Sequence, residues 1–388
     1  MAVDLRVPSH LRLAPDGRRV AFCVAPIGQR EKDPVSAVYV TNSDGETPPR
    51  AITGSEHNNT LPRWSPDGGS LAFVSDRVER GEGQLHVIPA SGGEPLRLTT
   101  LEGGIDQPSW QPDGRAIAFI ARRKALAGEK EPDSDIKVAS ERWKPKAIAT
   151  VPATGGTPAL VGPAEGHVWS FAYSPDGSRI AAVVTETEDL VAAYGGVRLL
   201  VLNADGSDER ELLQLSGFPG EPRWSEDGRQ IAIVGVQLPA AQHTHVFVVD
   251  LPSGEVSKLD DRGMTPTWAA FAGDDLLVHA VETQQTRIDR TDPRGAEWDQ
   301  LDLGADPTTG WIESGVNIHV ASGTLAFTCA QQHRPPDVYI ARIGQPALRL
   351  TDLNPQLAGL QLAEMESISW SSSDGREIHG WLLLPPDA

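Results

Sequence analysis

The sequence predicts an all-β chain, a seven-bladed β-propeller of four-stranded antiparallel blades. Three observations carry this prediction. A motif of roughly Trp-Ser-Pro-Asp-Gly followed by an alternating apolar stretch keeps returning, its copies lie near 50 residues apart, and the chain is rich in turn formers, with 38 glycines and 31 prolines in 388 residues. A period of this size with several short strands per unit belongs to propeller blades, and no long segment shows the 3.6-residue period of a helix.

The first five copies are Leu13 to Gly17 with Val20 to Phe22, Trp64 to Gly68 with Leu71 to Phe73, Trp110 to Gly114 with Ile117 to Phe119, Tyr173 to Gly177 with Ile180 to Ala182, and Trp224 to Gly228 with Ile231 to Ile233. Their terminal glycines are 51, 46, 63 and 51 residues apart. Two degenerate copies, Trp268 to Val278 and Ile318 to Phe327, bring the count to seven. In each, proline pre-sets φ, aspartate bonds its own backbone two residues on, and glycine accepts positive φ, so the motif is a hairpin turn between a first and a second strand.

Third and fourth strands recur as regularly. They are expected at Val38 to Val40 with Ala51 to Thr53, Leu85 to Ile88 with Leu96 to Thr99, and Ile148 to Val151 with Ala159 to Val161. The series continues with Leu199 to Leu202 and Glu211 to Leu213, Val246 to Val249 and Val256 to Leu259, and Val338 to Ala341 and Leu348 to Thr351. Only the sixth repeat, near Thr286 to Leu301, is blurred. Four strands make one blade, and a lone blade cannot bury both faces, so the blades stack radially into one ring from residue 11 to about 353. Each blade comes from one continuous segment, and the ten residues before the first turn are too few to lend an outer strand to the last blade. The ring is therefore expected to lack strand-sharing closure, with blades 1 and 7 meeting through side chains alone.

The formal charge of −19, with acidic and basic residues mixed along the chain, disfavours nucleic acid and anionic membrane as partners. No run approaches transmembrane length and the N-terminus lacks a signal-peptide core, which favours the cytoplasm. Cys23 and Cys329 are expected to be buried reduced thiols. Their opposite strand parity would also suit residues facing each other across the seam between blades 1 and 7, although packed sheets lie too far apart for a bridge. His243 and His245 have His-x-His spacing in a blade 5 loop, but with no third ligand near in sequence they read as ordinary loop histidines, so no metal and no cofactor is expected. Trp64, Trp110 and Trp224 fill equivalent blade positions and read as core.

Beyond blade 7 the pattern changes to Leu350-Thr-Asp-Leu-Asn354-Pro, then Trp370, Ser373-Asp-Gly375, Ile378 and Gly380-Trp381-Leu-Leu-Leu384-Pro385. This is a hairpin leading into an apolar strand that has no eighth blade to join. Together with the order of the repeats and the run Arg334-Pro-Pro-Asp-Val-Tyr339, this passage resembles the prolyl oligopeptidase (S9) family of serine peptidases. Within it the chain is most similar to the acylaminoacyl-peptidase and dipeptidyl-aminopeptidase-like branch. The resemblance spans nearly all of the chain and implies a propeller over residues 1–365 that covers an α/β-hydrolase domain, of which residues 366–388 would be the beginning. It also implies a Ser-Asp-His triad on that domain, and the chain contains neither a Gly-x-Ser-x-Gly nucleophile elbow nor a His-Gly-Gly oxyanion motif. The chain alone is thus expected to be non-catalytic, a substrate-gating propeller whose partners are the hydrolase domain and short peptides. A homo-oligomer is left open. The alternative is a free-standing TolB-type propeller that binds a protein through one rim.

Blade 3 carries the one large insertion, a charged stretch from Arg122 to Lys146. A solvated loop is one account of it and a substrate-side loop the other. Its segment Asp135 to Trp143 is similar to a stretch in the same blade of bacterial aminopeptidase-like relatives. The resemblance implies substrate contacts from Glu141, Arg142 and Trp143: a carboxylate suits a substrate's amino terminus, and a guanidinium suits a carbonyl or carboxylate. The paired acidic motif of related dipeptidyl peptidases is absent, because Glu141 is followed by Arg142. The rim bearing the loops between second and third strands is expected to face the hydrolase domain.

Overall fold

The computed structural model describes residues 5–27, 35–128, 144–189, 196–217, 219–237, 243–282, 285–305, 318–331, 334–360 and 363–385. Blade 1 is built from β1 (Leu5–Leu13), β2 (Arg19–Ile27), β3 (Ala37–Asn42) and β4 (Arg50–Ala51), and blade 2 from β5 (Asn59–Trp64), β6 (Ser70–Ser75), β7 (Gln84–Pro89) and β8 (Leu96–Arg97). Blade 3 comprises β9 (Ile105–Trp110), β10 (Ala116–Arg122), β11 (Lys146–Pro152) and β12 (Ala159–Gly162), and blade 4 β13 (His167–Tyr173), β14 (Arg179–Thr185), β15 (Val197–Asn203) and β16 (Arg210–Leu215). Blade 5 consists of β17 (Arg223–Trp224), β18 (Gln230–Gly235), β19 (His245–Asp250) and β20 (Val256–Lys258), and blade 6 of β21 (Thr265–Ala272), β22 (Asp275–Glu282), β23 (Gln285–Thr291) and β24 (Trp298–Gln300). Blade 7 is β25 (Ile318–Ala321), β26 (Thr324–Gln331), β27 (Arg334–Arg342) and β28 (Leu348–Arg349). Every blade sheet is four-stranded, in sequence order and antiparallel. The blurred sixth repeat thus has its third and fourth strands as well.

Each letter of the recurring turn has a job. In blade 2 the Gly68 N–H donates to Ser65 O at 2.8 Å with Gly68 at φ +67°, and Asp67 Oδ1 accepts from Gly69 N at 2.9 Å. Ser65 donates its hydroxyl to Asp67 at 2.5 Å and accepts from Ser70 N at 2.9 Å. Blades 4 and 5 repeat the network through Ser174 with Asp176 and Ser225 with Asp227. The threonines that end the fourth strands are equally regular: Thr53, Thr99 and Thr351 each accept a third-strand N–H at 2.9 Å, from Val38, Leu85 and Val338. A side-chain oxygen there takes over where the short outer strand runs out of carbonyls.

The core lies between blades. Second strands such as β6 are buried on both faces, so the stretch expected to alternate is a continuous buried run instead. Ala21, Cys23 and Val38 of blade 1 pack on Leu71, Phe73 and Ile88 of blade 2, while Ala72, Val74 and Leu85 face Ile117 and Phe119 of blade 3.

Closure occurs without a shared strand, as expected, since blade 7 is complete within Ile318–Arg349. Residues 5–10 are not outside the ring, however: β1 begins at Leu5 and supplies the inner strand of blade 1. As expected, the end blades are joined by side chains, some of which bond backbone groups across the seam. Asn354 accepts from Arg6 N and donates to Arg6 O, both at 2.8 Å, so its carboxamide imitates one residue of a paired strand. Ser322 donates to Pro15 O at 2.8 Å, and Leu11, Val20, Phe22 and Val24 pack on Ala326, Val338 and Ile340. Cys23 and Cys329 are both buried and form no disulfide, yet neither faces this seam: Cys23 points to blade 2 and Cys329 to blade 6. The two thiols do lie on opposite blade faces, but each is turned to the neighbour away from the seam.

After a single 3-10 turn at Pro355–Leu357, the chain forms a separate two-stranded hairpin of β29 (Glu364–Ser371) and β30 (Glu377–Leu384). It starts two residues before the expected boundary and joins no blade. Its turn is another Ser-x-Asp-Gly, with Gly375 at φ +85° donating to Ser372 O. Its large apolar side chains stand in solvent, Trp370 being 50% and Leu383 63% exposed.

Candidate functional site: an arginine-lined channel

The first strand of each blade lines the central channel, and in blades 1 to 3 that strand is interrupted at one equivalent place. His10-Leu11, Leu61-Pro62 and Gln107-Pro108 each oppose a single second-strand residue, Phe22, Phe73 and Phe119. The leading residue of each pair is left-handed, with φ 53°, 54° and 46°, although none is glycine. These are β-bulges, which bend a strand and re-aim its next side chain. Arg12, Arg63 and Ser109 stand directly after the three bulges; blades 4, 5 and 7 place Ala172, Arg223 and His319 near the same level.

The next position ties the blades together. Trp64 donates its indole N–H to Arg12 O at 2.9 Å, Trp110 to Arg63 O at 2.9 Å, and Trp224 to Ala172 O at 3.1 Å, in each case across to the preceding blade. Arginines reach the other way: Arg19 and Arg179 donate to Gly68 O and Gly228 O at 2.8 Å and lie over the rings of Trp64 and Trp224. The three tryptophans therefore have a lacing role beside the core role expected of them. Tyr173 stands in for tryptophan in blade 4, with its hydroxyl buried.

Together these strands enclose a cavity of about 440 Å³ at the end of the channel where the Pro-Asp-Gly turns lie, bounded by Pro15, Pro112 and Pro175. Arg12, Arg63, Arg223, Glu221 and His319 line it, with Trp110 and Phe171 among the walls. Glu221 Oε2 is 2.7 Å from Arg223 Nη2 and 4.0 Å from Arg12 Nη2. Arg12 Nη1 donates to Leu11 O at 2.7 Å and Arg63 Nη1 to Pro62 O at 3.0 Å, each using the carbonyl just before it.

Charge in this enclosure shifts its titrating neighbours. Burial opposes ionisation of Glu221, but Arg223, Arg12 and Arg63 outweigh it and hold its carboxyl down at about 2. Burial first, then Arg63, bring Arg12 down to about 9, where it remains charged at neutral pH. Burial, reinforced by the arginines, lowers His10 to about 4 and His319 well below the usual histidine range. A neutral His319 agrees with its Nδ1 accepting the Leu13 N–H at 3.3 Å.

Glu141, Arg142 and Trp143 lie outside the described residues, so the substrate contacts expected of them have no structural counterpart here. The described start of the blade 3 insertion is a single helical turn, α1 (Arg123–Leu126), and Arg123 Nη2 donates to Pro163 O at 2.7 Å. His245 Nδ1 lies 2.8 Å from Asp261 Oδ2. The channel arginines were not among the expected site residues. Their signal was in the repeats: arginine stands one residue before the first-strand end in blades 1, 2 and 5, where blades 3 and 4 have serine and alanine.

The TolB beta propeller domain family matches residues 8–144. The uncharacterized peptidase YuxL of Bacillus subtilis is 40% identical over 97 residues, 24% of this chain and 14% of that protein. Dipeptidyl-peptidase 5 of Porphyromonas gingivalis is 26% identical over 278 residues, 64% of this chain and 40% of that protein. The acylaminoacyl peptidase of Pyrococcus horikoshii superposes over 98% of this chain with a TM-score of 0.70 at 17% identity, covering 58% of its own chain. The ring has the fold of a peptidase propeller. The chain spans less than two thirds of each of these relatives, and the similarity to the Pyrococcus enzyme extends through the ring into the hairpin.

Proposed function

We propose that the chain is the substrate-gating propeller of a serine peptidase of the prolyl oligopeptidase family, acting on short peptides in the manner of acylaminoacyl- or aminopeptidases. The observation that carries this reading is the reach of the similarity: it covers 98% of the chain, so it continues past blade 7 into a hairpin that no propeller requires. In this reading residues 366–388 open an α/β-hydrolase domain that supplies the nucleophile, its base and its orienting acid. The propeller walls the chamber and admits only short, unfolded chains.

Topology supports the orientation. First and third strands run toward the Pro-Asp-Gly turns, so the loops between second and third strands, the blade connections and the exit after β28 share the opposite rim. The chain leaves toward the hairpin from that rim, and in this reading the same rim, on which β10 ends at Arg122 and β11 begins at Lys146, faces the chamber.

The test is to compare the 388-residue chain with the longer product of its open reading frame on a chromogenic peptide and a small ester. The isolated chain is expected to be inactive, and the longer product to be active and labelled by a fluorophosphonate. Glu141→Ala or Arg142→Ala in the longer product should alter peptide selectivity more than ester hydrolysis. Activity in the pure short chain, or a reading frame that ends without a serine that takes the label, overturns the assignment.

A further inference from the structure

We propose that Arg12, Arg63 and Arg223 form a carboxylate-binding site in the central channel, and that its ligand is the free C-terminal carboxylate of a short peptide. The three guanidiniums come from different blades but from one strand position, two of them directly behind a bulge and all facing a single cavity. Among the described residues one carboxylate serves them. Glu221 contacts Arg223 and lies at 4.0 Å from Arg12, whereas Arg63 has no carboxylate within 4.0 Å among the described residues. The other acid acting on Arg63, Asp106, has its own cation in Lys146 at 3.9 Å.

His10 and His319 are neutral and do not alter this balance. The described groups therefore leave about two positive charges in excess inside a chain whose net charge is −19. The side chains keep partial access to the channel, Arg12 at 16% and Arg223 at 26% exposure, so a ligand can reach them.

Enclosed cations are costly unless paired, and an incoming anion that pairs them is bound strongly for that reason. Arg12 and Arg63 each give an N–H to the preceding carbonyl, leaving further donors of a fork whose spacing matches a carboxylate's two oxygens. The cavity, at about 440 Å³ and walled by aromatic and proline rings, is far larger than an inorganic oxyanion needs and offers a peptide's remainder apolar contact. That the carboxylate belongs to a peptide rests on the peptidase reading; the anion site itself does not.

The experiment is isothermal titration of the 388-residue chain with a tripeptide acid, the same tripeptide as its C-terminal amide, and inorganic phosphate. The acid is expected to bind at least about tenfold more tightly than the amide, the scale of a charge-assisted hydrogen bond. Arg63→Gln and Arg12→Gln should each weaken the acid by about tenfold and leave the amide unchanged. Glu221→Gln, which removes the competing carboxylate, should tighten it, an effect of opposite sign that a folding defect does not imitate. Equal binding of acid and amide, or phosphate as tight as the acid, overturns the proposal. So does acid binding unmoved by Arg63→Gln in a variant with the parent's circular dichroism. Hydrolysis by the longer product is scored separately, so the peptidase reading can stand while this proposal falls.

Discussion

At Asn354 a side chain takes the place of a strand. Its carboxamide offers one acceptor and one donor at the spacing of a peptide group, and Arg6 uses both. Asn354→Ala should cost about 1–2 kcal/mol in urea denaturation, the worth of two partly buried hydrogen bonds, while Ser43→Ala on an outer turn should cost nothing measurable. The buried histidines set the response to acid. Burial is the main cause that brings His10, His86 and His167 to about 4 from an ordinary 6.5. Below pH 6.5 the unfolded chain takes protons that the folded chain refuses, so stability is complete above that pH and falls as pH drops toward 4. Glu221 acts with the same sign lower down, its contribution present above about 4.5 and lost toward about 2. A melting temperature that declines from pH 7 to pH 4, with a shallower decline in His86→Phe, is the expected result. An identical acid limb in that variant would exclude His86 as a source.

Within a blade, the first strand does more than fill space, because its terminal tryptophan caps a carbonyl of the blade before it. Trp224→Phe keeps most of the ring but leaves Ala172 O without its donor, and is expected to cost about 1 kcal/mol; Trp224→Ala should cost about 3 or more. Chemical denaturation of the two variants separates the hydrogen bond from the packing. Turns, second strands and third strands were legible because Pro-Asp-Gly and the apolar runs are dictated locally. The outer strands were legible too, since Ala51-Ile-Thr53 in blade 1 and Arg-Leu-Thr in blades 2 and 7 mark the place where Thr53, Thr99 and Thr351 replace a backbone acceptor. The bulges were not, because His10, Leu61 and Gln107 adopt positive φ without the glycine that would advertise it. Arg12, Arg63 and Arg223 were visible in the repeats, but only the ring's curvature brings three distant segments to one cavity. Glu141, Arg142 and Trp143 rested on resemblance alone, in a segment outside the described residues.

As a whole, the molecule is a ring with a hairpin attached. The hairpin pairs only with itself among the described strands, so a chain ending at Gly359 should keep the parent's unfolding transition within about 0.5 kcal/mol, the usual effect of changes away from a core. It should also resist aggregation better, having lost Trp370, Trp381 and Leu383 from its surface. A lower denaturation midpoint in that shortened chain would show that the hairpin braces the ring. The clasp at Arg6 and Asn354 has a mechanical consequence as well. Because the ring starts and finishes at one spot, tension applied through its two ends loads that carboxamide and the interface behind it first. Blades 1 and 7 would part like the covers of a book, leaving every blade, woven from its own length of chain, intact.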